Sequence, residues 1–160
     1  MVNIRVVTNI LAPRDRVFDL ARSIDAHLAS TSNSNERAID GVVSGLIGMG
    51  DEVTWEARHF GVRQQLKIRI TEFKHPEMFV DVMVFGAFKS MKHSHQFVDV
   101  EGKTEMIDEF SFEAPFGVFG LLAEKLILAK YMRKFLISRN QILKNIAETD
   151  EWKIYIIEKA

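Results

Sequence analysis

Residues 117–148 are the one long stretch of helical periodicity in the sequence, and they follow a series of shorter segments with a different period. When successive residues are placed about 100° apart, the apolar side chains of this stretch fall on one side of a helix. These side chains are Leu121, Leu128, Met132, Phe135, Ile142, Leu143 and Ile146. The opposite side carries Lys130, Lys134, Gln141, Lys144, Asn145 and Glu148. A helix with one apolar face has to bury that face, so the rest of the chain must supply a surface that fits it.

Between residues 38 and 114 apolar and polar residues alternate, which is the period of β-strands. Turn-forming residues divide this region, and the first residues of the chain alternate in the same way before Pro13. The predicted strands are 2–10, 38–47, 52–59, 62–73, 78–85, 88–100 and 103–113. Residues 14–29 have helical spacing that is interrupted near 23–25, so one or two short helices should follow the first strand.

This order of elements predicts an α+β fold in which a seven-stranded antiparallel sheet curves around the long C-terminal helix. At 160 residues the chain is most simply one domain. We assign residues 1–150 to a single ligand-binding domain and residues 151–160 to a C-terminal extension. The extension alternates like a strand over 151–157, so we expect either an edge strand or a segment that mediates association.

Turn lengths predict which strand residues face each other. A two-residue turn at 101–102 places His95 opposite Asp108 and His93 opposite Phe110. The same face of these strands carries most of their apolar side chains, so it should be the inner face of the sheet. The register therefore predicts that two histidines and one aspartate point into the apolar interior.

A two-residue turn at 60–61 likewise places Trp55 opposite Leu66 on the inner face. The strand that contains Asp81 is ambiguous. A two-residue turn at 86–87 would point Asp81 outward, whereas an even-length connection before that strand would point it inward. One of these connections must therefore carry an odd residue or a bulge.

Composition narrows the choice of partners. The formal net charge is −1, from 21 basic and 22 acidic residues, so we expect no nucleic-acid partner. There is no cysteine, which excludes disulfides, thiol catalysis and thiolate metal sites. The N-terminus lacks the layout of a signal peptide, and no stretch is long and apolar enough for a bilayer. We therefore expect no stable membrane insertion and a cytoplasmic location.

The pairing of His95 with Asp108 is the main candidate for chemistry. A carboxylate on one ring nitrogen fixes the tautomer and leaves the other nitrogen free as a base, an acid or a ligand. A structural ion pair within the sheet is the simplest interpretation, and ligand contact and catalysis are the alternatives. His93 and His95 also resemble a metal pair to which His59 or Asp108 would add a third ligand. That spacing is a weak motif, so we predict no metal.

Arg139 falls inside the apolar stripe of the long helix. Our favoured interpretation is that its methylenes lie on the core while the guanidinium reaches the edge. The alternative is that it meets an acidic ligand group or Asp108 inside. The glycines at 45, 48 and 50 lie between two strands, which is the wrong context for a dinucleotide-binding loop. We therefore predict no cofactor.

Several short segments resemble the polyketide cyclase/dehydrase and StAR-related lipid-transfer superfamily, which has the helix-grip fold. These segments are residues 10–13, 17–18, 50–55, 58–61, 86–88, 93–97, 104–109 and 115–117, within a resemblance that covers about 3–147. The resemblance implies an elongated cavity between the sheet and the C-terminal helix. Members bind hydrophobic or amphipathic small molecules such as lipids, sterols and polyketides, and a minority catalyse cyclisation or dehydration. The superfamily has no universal catalytic motif, so only cavity-lining roles are carried over.

We therefore expect the protein to bind a hydrophobic small molecule between the sheet and the helix. The predicted ligand-binding residues are Trp55, His59, Met91, His93, His95, Phe97, Met106, Asp108, Phe110, Phe112 and Arg139. One alternative is a cyclase or dehydratase without a redox cofactor, in which Asp108 orients His95 as the general base. Another is a protein-interaction module without a small ligand. The apolar residues Leu126, Ile127 and Ile137 outside the main stripe also allow a homodimer.

Overall fold

The computed structural model describes residues 1–114 and 121–156, and these ranges contain seven strands and four α-helices. The strands are β1 Val2–Ile10, β2 Arg37–Gly41, β3 Glu52–His59, β4 Val62–Lys74, β5 Met78–Phe85, β6 Ser90–Val100 and β7 Lys103–Glu113. The helices are α1 Arg14–Ala21, α2 Ile24–Ser30, α3 Leu121–Glu148 and α4 Trp152–Ile156. The strands form one antiparallel sheet in the order β1-β7-β6-β5-β4-β3-β2, which confirms the predicted α+β architecture.

The two hairpins with predicted two-residue turns have the expected register. Trp55 lies opposite Leu66 in the β3–β4 pair, and His95 lies opposite Asp108 in the β6–β7 pair. Both turns pass through residues with positive φ, among them Gly102 at 80°, which glycine adopts without steric cost. The inner face of these strands is therefore the one that the alternation of residues indicated.

The orientation of Asp81 depends on an extra residue in β4. The β4–β5 pairing shifts between Ile70 and Glu72, so Asp81 lies opposite Ile70 on one side and opposite His93 on the other. This bulge resolves the ambiguity of the sequence in favour of the inward orientation. Of the two alternatives for this strand, the two-residue turn at 86–87 does not occur, because four residues separate β5 from β6.

Two predicted elements differ from the structure in length or type. The second strand ends at Gly41 instead of residue 47, since Gly41 and Gly45 adopt positive φ and take the chain out of the sheet. The C-terminal extension contains the helix α4 instead of an edge strand, and Trp152 packs against Arg16 of α1 with the guanidinium carbon 4.3 Å from the ring centroid. Residues 115–117 of the resemblance, residues 117–120 of the predicted helix and residue 157 lie outside the described residues.

The α3 helix packs on the inner face of the sheet, and its two halves are buried to different extents. In the C-terminal half Leu143, Ile146 and Ala147 are core residues. Farther toward the N-terminus Leu128 and Met132 are only partly buried. Space therefore remains between this part of the helix and the sheet.

The homodimer that the sequence allows stays a prediction.

Candidate ligand-binding cavity

A cavity of about 400 Å³ lies between the sheet and α3. Its lining is mostly apolar and includes Val53, Ile68, Ile70, Leu128, Met132 and Leu136. The lining residues Phe60 and Ile127 are 63% and 60% exposed, so the cavity opens between the β3–β4 turn and α3. An apolar lining with a few polar groups is the usual composition of a small-molecule site.

Many of the predicted ligand-binding residues lie in the wall of this cavity. Those that line the cavity are Trp55, His59, Met91, His93, His95, Phe110 and Arg139. Those that point inward without lining it are Phe97, Met106, Asp108 and Phe112.

The inward residues that miss the cavity are covered by neighbouring side chains, which corrects the prediction that they contact a ligand directly. The ring of Phe97 packs edge-on against Phe18 of α1 with centroids 5.2 Å apart, and Phe112 lies 5.0 Å from Phe88. Met106 is fully buried in the same core. Strand parity predicts which face a side chain occupies, but not which other residue covers it.

A cluster of charged and polar groups is buried at the inner end of the cavity. The Nε2 atom of His93 lies 2.9 Å from Asp108 Oδ1, and the Nε2 atom of His95 lies 3.0 Å from Asp81 Oδ2. The two imidazole centroids are 3.8 Å apart. Each histidine thus hydrogen-bonds a carboxylate, and Asp108 lies beneath both rings with no exposed surface.

The second nitrogen of His95 also faces a carboxylate. Its Nδ1 atom is 2.9 Å from Asp108 Oδ1, but the N–H direction is unsuited to a hydrogen bond, so the contact is mainly electrostatic. The sequence-based mechanism requires one free nitrogen on His95. The structure instead places His95 between Asp81 and Asp108, which corrects that assignment.

Two residues of α3 complete the cluster from the opposite side. Asn140 donates from Nδ2 to Asp108 Oδ2 at 2.6 Å. Arg139 is 5% exposed, and its Nη1 atom is 3.8 Å from Asp108 Oδ1, beyond hydrogen-bond distance. The guanidinium therefore stays inside instead of reaching the helix edge, which contradicts our favoured interpretation and agrees with the alternative.

The surroundings shift the pKa values of the two histidines in opposite directions. Burial lowers the pKa of His93, the positive charge of His95 lowers it further, and Asp108 only partly opposes them. Burial alone would also lower the pKa of His95, but Asp108 and Asp81 outweigh it and raise that pKa overall. Of the two rings, His95 is therefore the one that holds a proton more strongly, and each of its nitrogens lies close to a carboxylate.

Both carboxylates in the cluster remain ionised. Burial alone would raise the pKa of Asp108, but the hydrogen bond from His93 and the close charge contact with His95 hold it well below its usual range. The pKa of Asp81 is also lowered, because the hydrogen bond with His95 and the nearby positive charges outweigh burial. A neutral His93 beside an ionised Asp108 must donate from Nε2, so its Nδ1 atom carries the lone pair.

A second polar group lies toward the opening. Burial lowers the pKa of His59, and its Nδ1 atom shares a 2.6 Å hydrogen bond with the Tyr131 hydroxyl. His27 stacks on Trp55 with centroids 4.2 Å apart and lies 3.1 Å from Glu36. The α2 helix thus directs His27 into the cavity wall, although helical spacing alone did not single it out.

The same cluster has the composition of a metal site. Asp81, His93 and His95 each offer one ligand atom, and these atoms lie within 4.8 Å of one another. His95 and Asp81 already satisfy each other, however, and Arg139 adds a positive charge nearby. A third cation would meet that repulsion, so the arrangement favours proton and hydrogen-bond chemistry.

Solved structures of other proteins share this arrangement of sheet and helix. A protein from Thermus thermophilus has a TM-score of 0.74 at 18% identity, covering 90% of this chain and 95% of that chain. A START superfamily protein from Mycobacterium smegmatis has a TM-score of 0.70 at 9% identity, covering 91% and 97%. Major latex-like protein 151 from Panax ginseng has a TM-score of 0.66 at 15% identity, covering 92% and 98%.

The chain has the helix-grip fold. Comparison of the sequence with protein-family models and with curated proteins finds no match. At these identities the similarity to solved structures establishes the architecture alone. Among the helices of the described ranges, none is long and apolar enough to cross a membrane.

The sequence did not predict the contributions of Asn140, Asp81 and Tyr131 to the site. Asn140 lies four residues after Leu136 and three before Leu143, so helical spacing could have placed it inward beside Arg139. The inward orientation of Asp81 depends on a bulge in β4, and that bulge has no clear signal in the sequence. The part played by Tyr131 depends on its approach to β3, which strand and helix periodicity do not predict.

Proposed function

We propose that the protein binds a hydrophobic or amphipathic small molecule in the cavity between the sheet and α3. The observation that carries this proposal is the apolar cavity of about 400 Å³ with charged groups at its inner end. Buried polar atoms that lack hydrogen-bond partners are costly in a filled core. Beside an apolar cavity, the same atoms are available to a ligand. A ligand with an apolar body and a polar end would satisfy both parts of the wall.

Native mass spectrometry of protein purified from its own host, followed by lipid extraction, tests this proposal. We expect a bound organic mass that is released on denaturation. We also expect the purified protein to take up the apolar fluorophore diphenylhexatriene, since its binding needs only accessible apolar volume. A protein that releases no organic mass and does not enhance the fluorescence of this probe would lack the proposed activity.

A second candidate function is acid–base catalysis of the cyclase or dehydratase type. The observation that favours it is the environment of His93, which lines the cavity and whose Nε2 atom is held by Asp108. Within the described ranges, the Nδ1 atom of His93 has no hydrogen-bond partner. A neutral imidazole held by a carboxylate on one side is the usual form of a general base. His93 therefore replaces His95 as the proposed base.

The catalytic proposal predicts that a variant of the cluster affects turnover and affinity differently. We expect Asp108→Asn to lower turnover of the bound compound far more than its affinity, because the variant no longer holds His93 in one tautomer. The exposed-site variant Asp40→Asn is the matched control. Equal losses of turnover and affinity in Asp108→Asn would indicate a structural role alone, and circular dichroism of each variant would verify folding.

A further inference from the structure

Arg139 is a buried cation whose hydrogen-bonding capacity is largely unused. It lines the cavity, it is 5% exposed, and its Nε atom is buried without a hydrogen-bond partner. Its closest carboxylate oxygen, Asp108 Oδ1, is 3.8 Å from Nη1. A guanidinium carries five N–H donors, and a chain rarely buries them without an acceptor. No acceptor for this guanidinium is found among residues 1–114 and 125–156.

The carboxylates of the cluster are already occupied by other donors. Asp108 Oδ1 faces His93 and His95, and Asp108 Oδ2 accepts from Asn140 at 2.6 Å. Asp81 pairs with His95 at 3.0 Å. These bonds hold the carboxylates away from Arg139, so the guanidinium is available to a molecule in the cavity.

The charges of the cluster cancel without any ligand. Asp81, Asp108 and Arg139 contribute two negative charges and one positive charge. The two nitrogens of His95 lie 3.0 Å from Asp81 and 2.9 Å from Asp108, which favours the protonated ring and supplies the second positive charge. An anionic ligand would leave one negative charge uncompensated in an apolar cavity, which is costly. An uncharged oxygen acceptor would use the free N–H groups of Arg139 and keep the balance.

We infer that the inner end of the cavity is a subsite for an uncharged carbonyl oxygen, which accepts hydrogen bonds from Arg139. This inference rests on the proposed function and narrows its ligand class to apolar molecules with a ketone, ester or quinone type of group at one end. The apolar wall holds the body of the ligand. Arg139 then favours ligands that carry a carbonyl at this end, because a ligand without one would leave the N–H donors of Arg139 buried and unpaired.

Three naphthalene probes substituted at the same ring position test the inference: acetylnaphthalene, ethylnaphthalene and naphthoate. The first two have a similar shape and differ chiefly in the carbonyl group, and the third carries a carboxylate. Isothermal titration calorimetry of the wild type should give an affinity for acetylnaphthalene about tenfold higher than for ethylnaphthalene, or about 1.4 kcal/mol. It should also give weaker binding of naphthoate than of acetylnaphthalene.

The variant Arg139→Met keeps a long side chain but removes every N–H donor. We expect it to bring the ratio of the two affinities close to one by weakening acetylnaphthalene alone. Arg133→Met, at an exposed arginine on the same helix, should leave the ratio at the wild-type value. An unchanged ratio in Arg139→Met would overturn the inference.

A measurement on the wild type covers the case in which Arg139→Met does not fold. The infrared carbonyl stretch of bound acetylnaphthalene should lie at lower frequency than in hexane, because a hydrogen-bonded carbonyl is weakened. A stretch equal to that in hexane, or tighter binding of naphthoate, would overturn the inference. Equal wild-type affinities for acetylnaphthalene and ethylnaphthalene would overturn it while leaving the proposed function intact, whereas no binding of any probe would overturn both.

Discussion

Asp108 shows how a single carboxylate can organise a buried site. It lies on β7 with no exposed surface, and donors reach it from β6 and from α3. An isolated ionised carboxylate at such a depth would be strongly destabilised, whereas one that accepts two or more hydrogen bonds stays charged. The charge of Asp108 then helps to raise the pKa of His95, whereas it only partly offsets the effect of burial on His93.

The opposite shifts of the two histidines give a direct spectroscopic prediction. An NMR titration of the imidazole ring protons should show His95 losing its proton above the ordinary histidine pKa of about 6.5 and His93 below it. The physical reason is that His95 lies between two carboxylates, while His93 is buried beside the positive ring of His95. Assignment from His93→Gln and His95→Gln identifies the signals. A common midpoint, or the reverse order, would contradict the charge distribution that we assign to the cluster.

Removal of the Asp108 charge should change how stability depends on pH. The folded pKa of Asp108 is far below its unfolded value of about 3.9, so its contribution is complete above that value and is lost as the pH falls through the folded pKa. Asp108→Asn should lack this acid-side loss. At pH 7 it should be about 3 kcal/mol less stable than the wild type, since the partners of a buried charge are left unpaired.

Urea unfolding at pH values from about 7 down to about 3 measures this difference. The control is Asp40→Asn, at an exposed position on β2. We expect its pH profile to follow that of the wild type. If Asp108→Asn keeps the wild-type slope on the acid side, another carboxylate controls the acid transition.

At the scale of elements, the register of two strands could be predicted from the sequence where a two-residue turn joins them. The two-residue turn at 101–102 fixed the register of β6 against β7, and with it the contact of His95 with Asp108. The orientation of β5 could not be predicted in this way, because Phe79 and Val80 are adjacent and both buried, so neither face of the strand looks polar. Alternation carries no information where a strand is covered on both sides.

The end of β2 gives a prediction about backbone geometry. Gly41 and Gly45 both have φ of +78°, but a Cβ on Gly41 would lie 2.2 Å from the Glu52 carbonyl oxygen, and a Cβ on Gly45 would meet nothing within 4 Å. Gly45→Ala should cost about 1–2 kcal/mol, the usual penalty of left-handed backbone. Gly41→Ala should cost about 1–3 kcal/mol more, because the clash is with backbone that cannot rotate away.

Thermal and urea unfolding of the two glycine variants measure the difference. The comparison isolates the steric term, since the backbone angle is the same at both positions. Equal destabilisation of the two variants would show that β2 is free to move away from β3. In that case the edge of the sheet beside the cavity would be less rigid than the pairing of Gly41 with Val53 indicates.

At the scale of the whole molecule, the cavity results from how far each half of α3 approaches the sheet. The C-terminal half closes on the core through Leu143 and Ile146, whereas the wall near Met132 faces open space. The sequence predicted the apolar stripe along the helix, but a stripe does not reveal the distance between two surfaces. That distance depends on the sum of many side-chain volumes, which is why the cavity could be inferred only from resemblance.

A cavity-filling variant tests whether this space is where ligands bind. Ala57 lies on β3, points inward and lines the cavity, so Ala57→Phe would place a ring in the space. We expect the affinity for diphenylhexatriene to fall more than about tenfold, while the free energy of unfolding changes by less than about 1.5 kcal/mol, since a ring added to empty space need not displace the core. Val98→Phe adds the same ring at a 44% exposed position on β6 and should leave probe binding unchanged. Fluorescence titration and urea unfolding of both variants provide the comparison. Undiminished binding by Ala57→Phe would show that the probe occupies a different surface.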